Sequence, residues 1–148
     1  YFTGRSRSSA AIINEQKKNT SEGNQTAIEA MHKIKQSAID TKLALLKGDV
    51  GEFARILGEG WENKKKMAGA ITNPMIQEAF DVATGAGAMA GKVSGAGGGG
   101  FIIFVVEPTR KEEVVRALNN LNGFVMPFQF IDDGAHGWKI YSTDKVQK

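Results

Sequence analysis

The string Lys92-Val-Ser94-Gly95-Ala96-Gly97-Gly98-Gly99-Gly100 sets a lysine, a serine and five glycines within nine positions, directly before the apolar run Phe101-Ile-Ile-Phe-Val-Val106. Glycine lacks a Cβ, so such a backbone can take positive φ angles and approach a ligand closely. Amides presented that way can cradle an anionic oxygen such as that of a phosphate. The flanking residues 88–94 and 101–106 read as strands, which puts the loop inside the ordered core. Gly95-x-Gly97-x-x-Gly100 formally matches the dinucleotide fingerprint, but that mechanism needs a helix to open right after the glycines, and here a β-branched and aromatic run follows. The Walker pattern fails as well, because Lys92 is followed by Val93 and Ala86 stands where its first glycine is required. A protein-kinase glycine loop is excluded, since no His-Arg-Asp or Asp-Phe-Gly follows.

Other residues with chemical potential are weaker. Alternation over residues 1–8 sets Thr3, Arg5 and Arg7 on one strand face, either as an anion-facing pair of arginines or as a solvated strand end. Lys64-Lys-Lys66 could bind phosphate, although lysines in a last helical turn also complement the helix dipole. His32 and His136 are far apart with no recurring ligand spacing, which argues against a protein-built metal site. Asp81, Asp132 and Asp133 sit on a helix face and in a turn, ordinary places for aspartate. Trp61 and Trp138 fit core or domain packing better than a nucleobase platform.

The elements that must position the glycine loop follow from caps and periodicity. Gly23-Asn24 opens a helix with Ala27, Met31, Ile34, Ala38 and Leu45 on one face, and Gly48 closes it. Asp49, with Glu52 three residues on, caps a second helix whose inner stripe is Val50, Phe53, Ala54, Leu57 and Trp61, pairing with the first as an antiparallel hairpin. Asn73-Pro74 starts a third helix, lined by Ile76, Ala79, Phe80 and Ala83 and stopped by Gly85. Pro108-Thr109 with Glu112 predicts another N-terminus, with Val114, Val115, Leu118 and Leu121 inward. Residues 124–130 alternate as a strand with Pro127 at an edge or bulge, and residues 137–141 read as the last strand. The predicted fold is α+β, a ferredoxin-like two-layer sandwich with a mostly antiparallel sheet and helices on one face.

At 148 residues with 41% hydrophobic content, the chain is expected to be one domain, with no apolar run of transmembrane length. A net charge of +3 suits a small anionic ligand and gives little reason to expect nucleic acid or membrane as partner. Without cysteine, disulfides and thiolate metal sites are excluded and a cytoplasmic location is expected. The first residue is a tyrosine already in strand-like sequence, which predicts a fragment of a longer protein.

The order Lys, Ser, Gly-Ala-Gly and further glycines before an apolar strand resembles the third conserved motif of the GHMP sugar and metabolite kinases. Tyr1-Phe-Thr-Gly4, Arg7-Ser-Ser-Ala10 and Gly134-Ala-His-Gly-Trp138 are similar to the heptose 7-phosphate kinase branch of that family. The resemblance implies that residues 1–148 are the C-terminal domain of a two-domain ATP-dependent sugar or sugar-phosphate kinase. ATP and Mg²⁺ would be held mainly by an N-terminal domain outside this sequence, which would also supply the catalytic carboxylates. It further implies that Ser94, Gly95, Ala96, Gly97 and Gly98 line the phosphoryl-transfer cleft and that this domain alone does not catalyse. Arg5, Arg7 and Lys92 are candidate contacts to a substrate phosphate. The competing expectation is a stand-alone ferredoxin-like module that binds a small anionic metabolite through the same loop.

Overall fold

The computed structural model describes residues 1–5 and 9–138. Arg7, and residues 139–141 of the expected last strand, lie outside them. The helices are α1 (Ser9–Ser21), α2 (Gln25–Lys47), α3 (Val50–Lys65), α4 (Pro74–Gly85) and α5 (Lys111–Leu118), and the strands are β1 (Ala88–Val93) and β2 (Ile102–Val106). None of the described helices is long and apolar enough to cross a membrane.

Three helix starts form by the expected side-chain caps. Asn24 Oδ1 accepts from the Ala27 amide at 3.1 Å, Asp49 Oδ1 from Glu52 at 2.9 Å and Asn73 Oδ1 from Ile76 at 3.0 Å, each satisfying an amide that the first turn leaves without a partner. Gly48 ends α2 at φ +68°, with its amide given to Leu45 and that of Asp49 to Ala44, so the chain reverses at once into α3 and the two helices pack together.

The antiparallel β1–β2 pair is extended by single bridges from Phe2 to Phe101 and to Phe124. Across the sheet the order is therefore Phe124, then residues 1–3, then β2, then β1. This is the interleaved order of the expected α+β plan, in which segments close in space are distant in sequence. The core joins Tyr1, Ile71, Ile76, Ala79, Ala83, Val93, Ile102, Val114 and Leu118 with Trp61, whose ring stacks on Phe80 at 5.4 Å and 4°.

Several expectations are corrected. The strand at the start ends at Thr3, because Gly4 turns the backbone at φ +76°; Thr3 is buried while Arg5 is exposed, so the two do not share a face. Residues 9–21 form a helix the sequence reading omits, since Ile12 alone among them is buried and the segment shows no apolar period. On α2 the buried line is Ala27, Ala30 and Ala44, with Met31 42% and Leu45 60% exposed. On α3, Ile56 is buried and Val50 exposed. Thr109 does not cap α5, because Pro108–Arg110 form a 3₁₀ turn that feeds directly into the helix. Beyond the Phe124 bridge, residues 125–138 are not strand. Val125 gives its amide to Asn119 Oδ1 at 3.0 Å and Pro127 has none to give, so the ladder stops there. Trp138 is exposed rather than packed.

Candidate functional site

The glycine loop connects β1 to β2, and the residues around it divide it into two parts. Its base is closed by the Ser94 amide, which donates to the Phe101 carbonyl at 2.7 Å. Gly95, Gly97, Gly98, Gly99 and Gly100 all have positive φ, a region closed to most side-chain-bearing residues.

The later part is packed into the domain. Gly98 and Gly99 are buried. The Gly98 amide donates to Ile71 O at 2.8 Å, and its carbonyl accepts from Asn73 Nδ2 at 3.0 Å. The Gly100 amide donates to Arg5 O at 2.8 Å, and its carbonyl accepts from the Thr3 amide at 2.9 Å and from Thr3 Oγ1 at 3.0 Å. A Cβ on Gly97 would sit 2.8 Å from Ile71 O and 3.0 Å from its Cα, and one on Gly99 2.8 Å from Arg5 O. At Gly97 and Gly99 glycine is required by neighbouring backbone, while a Cβ on Gly100 would meet nothing within 4 Å. Asn73 therefore has two tasks, capping α4 through its oxygen and holding the loop through its nitrogen. Beside it, the buried Thr72 Oγ1 has no hydrogen-bond partner among the described residues.

The earlier part is open. Ser94 and Gly95 are exposed, Ala96 is half-buried, and a Cβ on Gly95 would meet nothing within 4 Å. Among the described residues no acceptor is found for the amides of Gly95 and Ala96, nor in the later part for those of Gly97 and Gly99. Lys64, from the last turn of α3, donates to the Gly95 carbonyl. Burial, and then the charge of Lys92, push the Lys64 ammonium below the ordinary lysine range. Lys92 is half-buried in β1, paired in register with Ile103.

Of the residues expected at a site, the fold thus brings Lys92, Ser94, Gly95, Ala96, Gly97 and Gly98 together, with Gly98 turned inward. Arg5 reaches the loop through its carbonyl while the residue itself is exposed. For Lys64 the sequence offers two roles, phosphate binding or complementing the helix dipole; its contact to Gly95 spans 31 positions and has no local signal beyond the basic run itself. His136 is exposed beside Asp133 at 3.7 Å, and Asp81 serves as acceptor for Gln77 at 2.8 Å. Among the described residues no group of three or more His, Asp or Glu side chains could hold a metal ion.

Residues 41–122 match the family model described as GHMP kinases C terminal. Over 140 residues, 95% of the chain, the sequence is 40% identical to the D-glycero-alpha-D-manno-heptose 7-phosphate kinase of Campylobacter jejuni subsp. jejuni serotype O:2, of which the match covers 41%. It is 25% identical over 118 residues, 80% of the chain, to the L-fucokinase/L-fucose-1-P guanylyltransferase of Bacteroides fragilis, covering 12% of that protein. The chain therefore spans less than half the length of these curated relatives. Among solved structures, L. major mevalonate kinase aligns with a TM-score of 0.72 over 80% of this chain and 36% of that one, at 18% identity, a likeness of fold. A Campylobacter jejuni protein described as a sugar kinase aligns with a TM-score of 0.58 over 76% of this chain and 34% of that one, at 43% identity.

Proposed function

For a chain that belongs to the GHMP kinases through their C-terminal domain, we propose that it forms one wall of a phosphoryl-transfer cleft in an ATP-dependent sugar-phosphate kinase, with a heptose 7-phosphate as acceptor. The acceptor is taken from the Campylobacter relative. The observation that carries the reading is the asymmetry of the glycine loop: its later part is fixed to Thr3, Ile71 and Asn73, which anchors the exposed Ser94 and Gly95 and the half-buried Ala96 without using the Gly95 and Ala96 amides. Preorganised amides with no internal partner are what stabilises charge developing on a transferred phosphoryl group, because little reorganisation is needed during reaction. The small side chains of Gly95 and Ala96 leave room for that group.

The opposite wall, with the adenine site and the groups that activate the acceptor hydroxyl, belongs to an N-terminal domain of the same protein, the partner of this one. ATP binds mainly there. Mg²⁺ is held by the nucleotide phosphates and that other domain. A cytoplasmic location, where ATP and sugar phosphates are supplied, accompanies this reading.

The test is turnover by the full-length protein, measured as ADP release with heptose 7-phosphate, mevalonate and L-fucose as acceptors. The heptose phosphate is expected to react fastest, and residues 1–148 alone are expected to be inactive. Turnover by the isolated domain would overturn the division of labour, and absence of turnover by the full-length protein with any sugar phosphate would overturn the function. Gly95→Ala in the full-length enzyme is expected to lower kcat/KM about tenfold or more while the protein stays folded.

A further inference from the structure

The second half of α2 is apolar on both of its faces. Toward the core it presents Ala44, in line with Ala27 and Ala30, while Ile39, Leu43 and Leu46 recur at i, i+4 and i+7 on the other side and are 52, 49 and 74% exposed. Val50, two residues past the Gly48 turn, is 59% exposed at the same end of the hairpin. Small residues inward and long ones outward reverse the pattern of a surface helix, and a helix apolar all round is one that a partner covers.

Place and composition decide between the possible partners. From this end of the hairpin α3 runs 16 residues, about 24 Å at 1.5 Å per residue, and its last turn carries the Lys64 that meets Gly95. A domain that closes over the glycine loop therefore works at the far end of α3. Membrane-surface helices set Trp or Phe among their apolar residues and lysines around them. Here the exposed aromatic side chains among the described residues, Phe101, Phe124, Phe128, Phe130 and Trp138, lie elsewhere, and the rim of the stripe mixes Asp40 and Asp49 with Lys42 and Lys47.

That rim is complementary to itself. Asp40 and Lys47 stand two turns apart on one flank of the stripe; Asp40 accepts from Gln36 Nε2 at 3.0 Å, and neither residue has an ion pair among the described residues. In antiparallel helices the same flanks meet. Packing two α2 helices that way about Leu43 sets Ile39 of each copy against Leu46 of the other and brings each Asp40 beside the other copy's Lys47.

We propose that this face of α2 is a homodimer interface, in which two copies of the protein pack their α2 helices antiparallel about a two-fold axis. With α3 behind each α2, the contact is a four-helix bundle. It uses no residue of the glycine loop and stands apart from the kinase reading.

The experiment is sedimentation equilibrium of the full-length protein over about a hundredfold range of concentration in the micromolar region. The wild type is expected to be a dimer there, and Leu43→Asp, which sets two carboxylates near the axis, to weaken it about a hundredfold or more. Ile13→Asp, at an exposed isoleucine of α1, is the control and should leave the dimer intact. Asp40→Lys and Lys47→Asp should each weaken association about threefold or more, and an equimolar mixture of the two should restore it, because every rim contact then joins opposite charges. These charge variants keep the test decisive if Leu43→Asp loses its fold. A monomeric wild type, or a dimer that survives Leu43→Asp, would overturn the interface, and a mixture that fails to associate would overturn the antiparallel arrangement. In a monomer, a thermal midpoint lowered by Leu43→Asp would give the face to another part of the same chain, and Leu43-dependent flotation with phosphatidylglycerol vesicles would give it to a membrane.

Discussion

Residues 94–96 and residues 97–100 belong to one loop of small residues, yet their surroundings differ. In the second group glycine is demanded by contact at two positions, since a side chain at Gly97 or Gly99 would run into the backbone of Ile71 or Arg5. In the first, glycine at Gly95 answers only to its own φ of +78° and to open space around it. Glycine richness in a sequence therefore mixes two causes, and only the surroundings separate residues that build a site from residues that leave it empty.

The strongest way to break that comparison is Gly97→Val. Strain at positive φ and overpacking against Ile71 together are expected to cost about 3 kcal/mol or more, read as a fall in the denaturation midpoint. Stability within 1 kcal/mol of wild type, on the order of one ordinary hydrogen bond, would show that the second half of the loop is not held as described. Asn73→Ala comes next, at about 2 kcal/mol, because it removes both the α4 cap and the donor to the Gly98 carbonyl. Its loss of activity should follow its loss of stability. Gly95→Ala should invert that relation, costing only about 1 kcal/mol through backbone strain while kcat/KM falls well beyond what unfolding explains. A variant whose activity tracks its midpoint would move Gly95 into the structural half.

The smallest effect concerns pH. A lysine whose folded pKa is lowered binds fewer protons folded than unfolded between that lowered pKa and its ordinary value, so stability should rise with pH across that window. Lys92→Met should raise the Lys64 pKa, followed by NMR of the lysine side chain, and flatten the slope. An unchanged Lys64 titration would mean that burial alone sets it.

How much of this was legible in the sequence depends on reach. The caps at Asn24, Asp49 and Asn73 act within three residues, and the strands on both sides of the loop are marked by their own apolar runs, so these features stand out from the chain itself. The family resemblance was carried by the glycine string and is matched by residues 41–122. What the chain did not disclose spans distance. Gly98 meets Ile71, Lys64 meets Gly95, and Asn73 holds Gly98 only after the fold brings them together. Helix α1 escaped for the opposite reason: it buries only Ile12, leaves Ala10, Ala11 and Ile13 exposed, and is tied to the loop after α3 by Glu15 to the Gly69 amide and Asn19 to the Met67 carbonyl, contacts that leave no apolar period.

The central place of residues 1–3 in the sheet has a kinetic consequence. Tyr1 bonds Ile102 across a separation of 101 residues, and Phe2 pairs with Phe124 on its other edge. Closing a loop of that length costs about 2 kcal/mol more entropy than closing one of ten residues, so local pieces such as the α2–α3 hairpin and the β1–β2 ribbon are favoured to form before it. Gly100 cannot give its amide to Arg5 until that closure occurs. The glycine loop therefore acquires its final shape among the last events of folding, and pulse-labelled hydrogen exchange should find the Gly100 and Ile102 amides protected after those of α2 and α3.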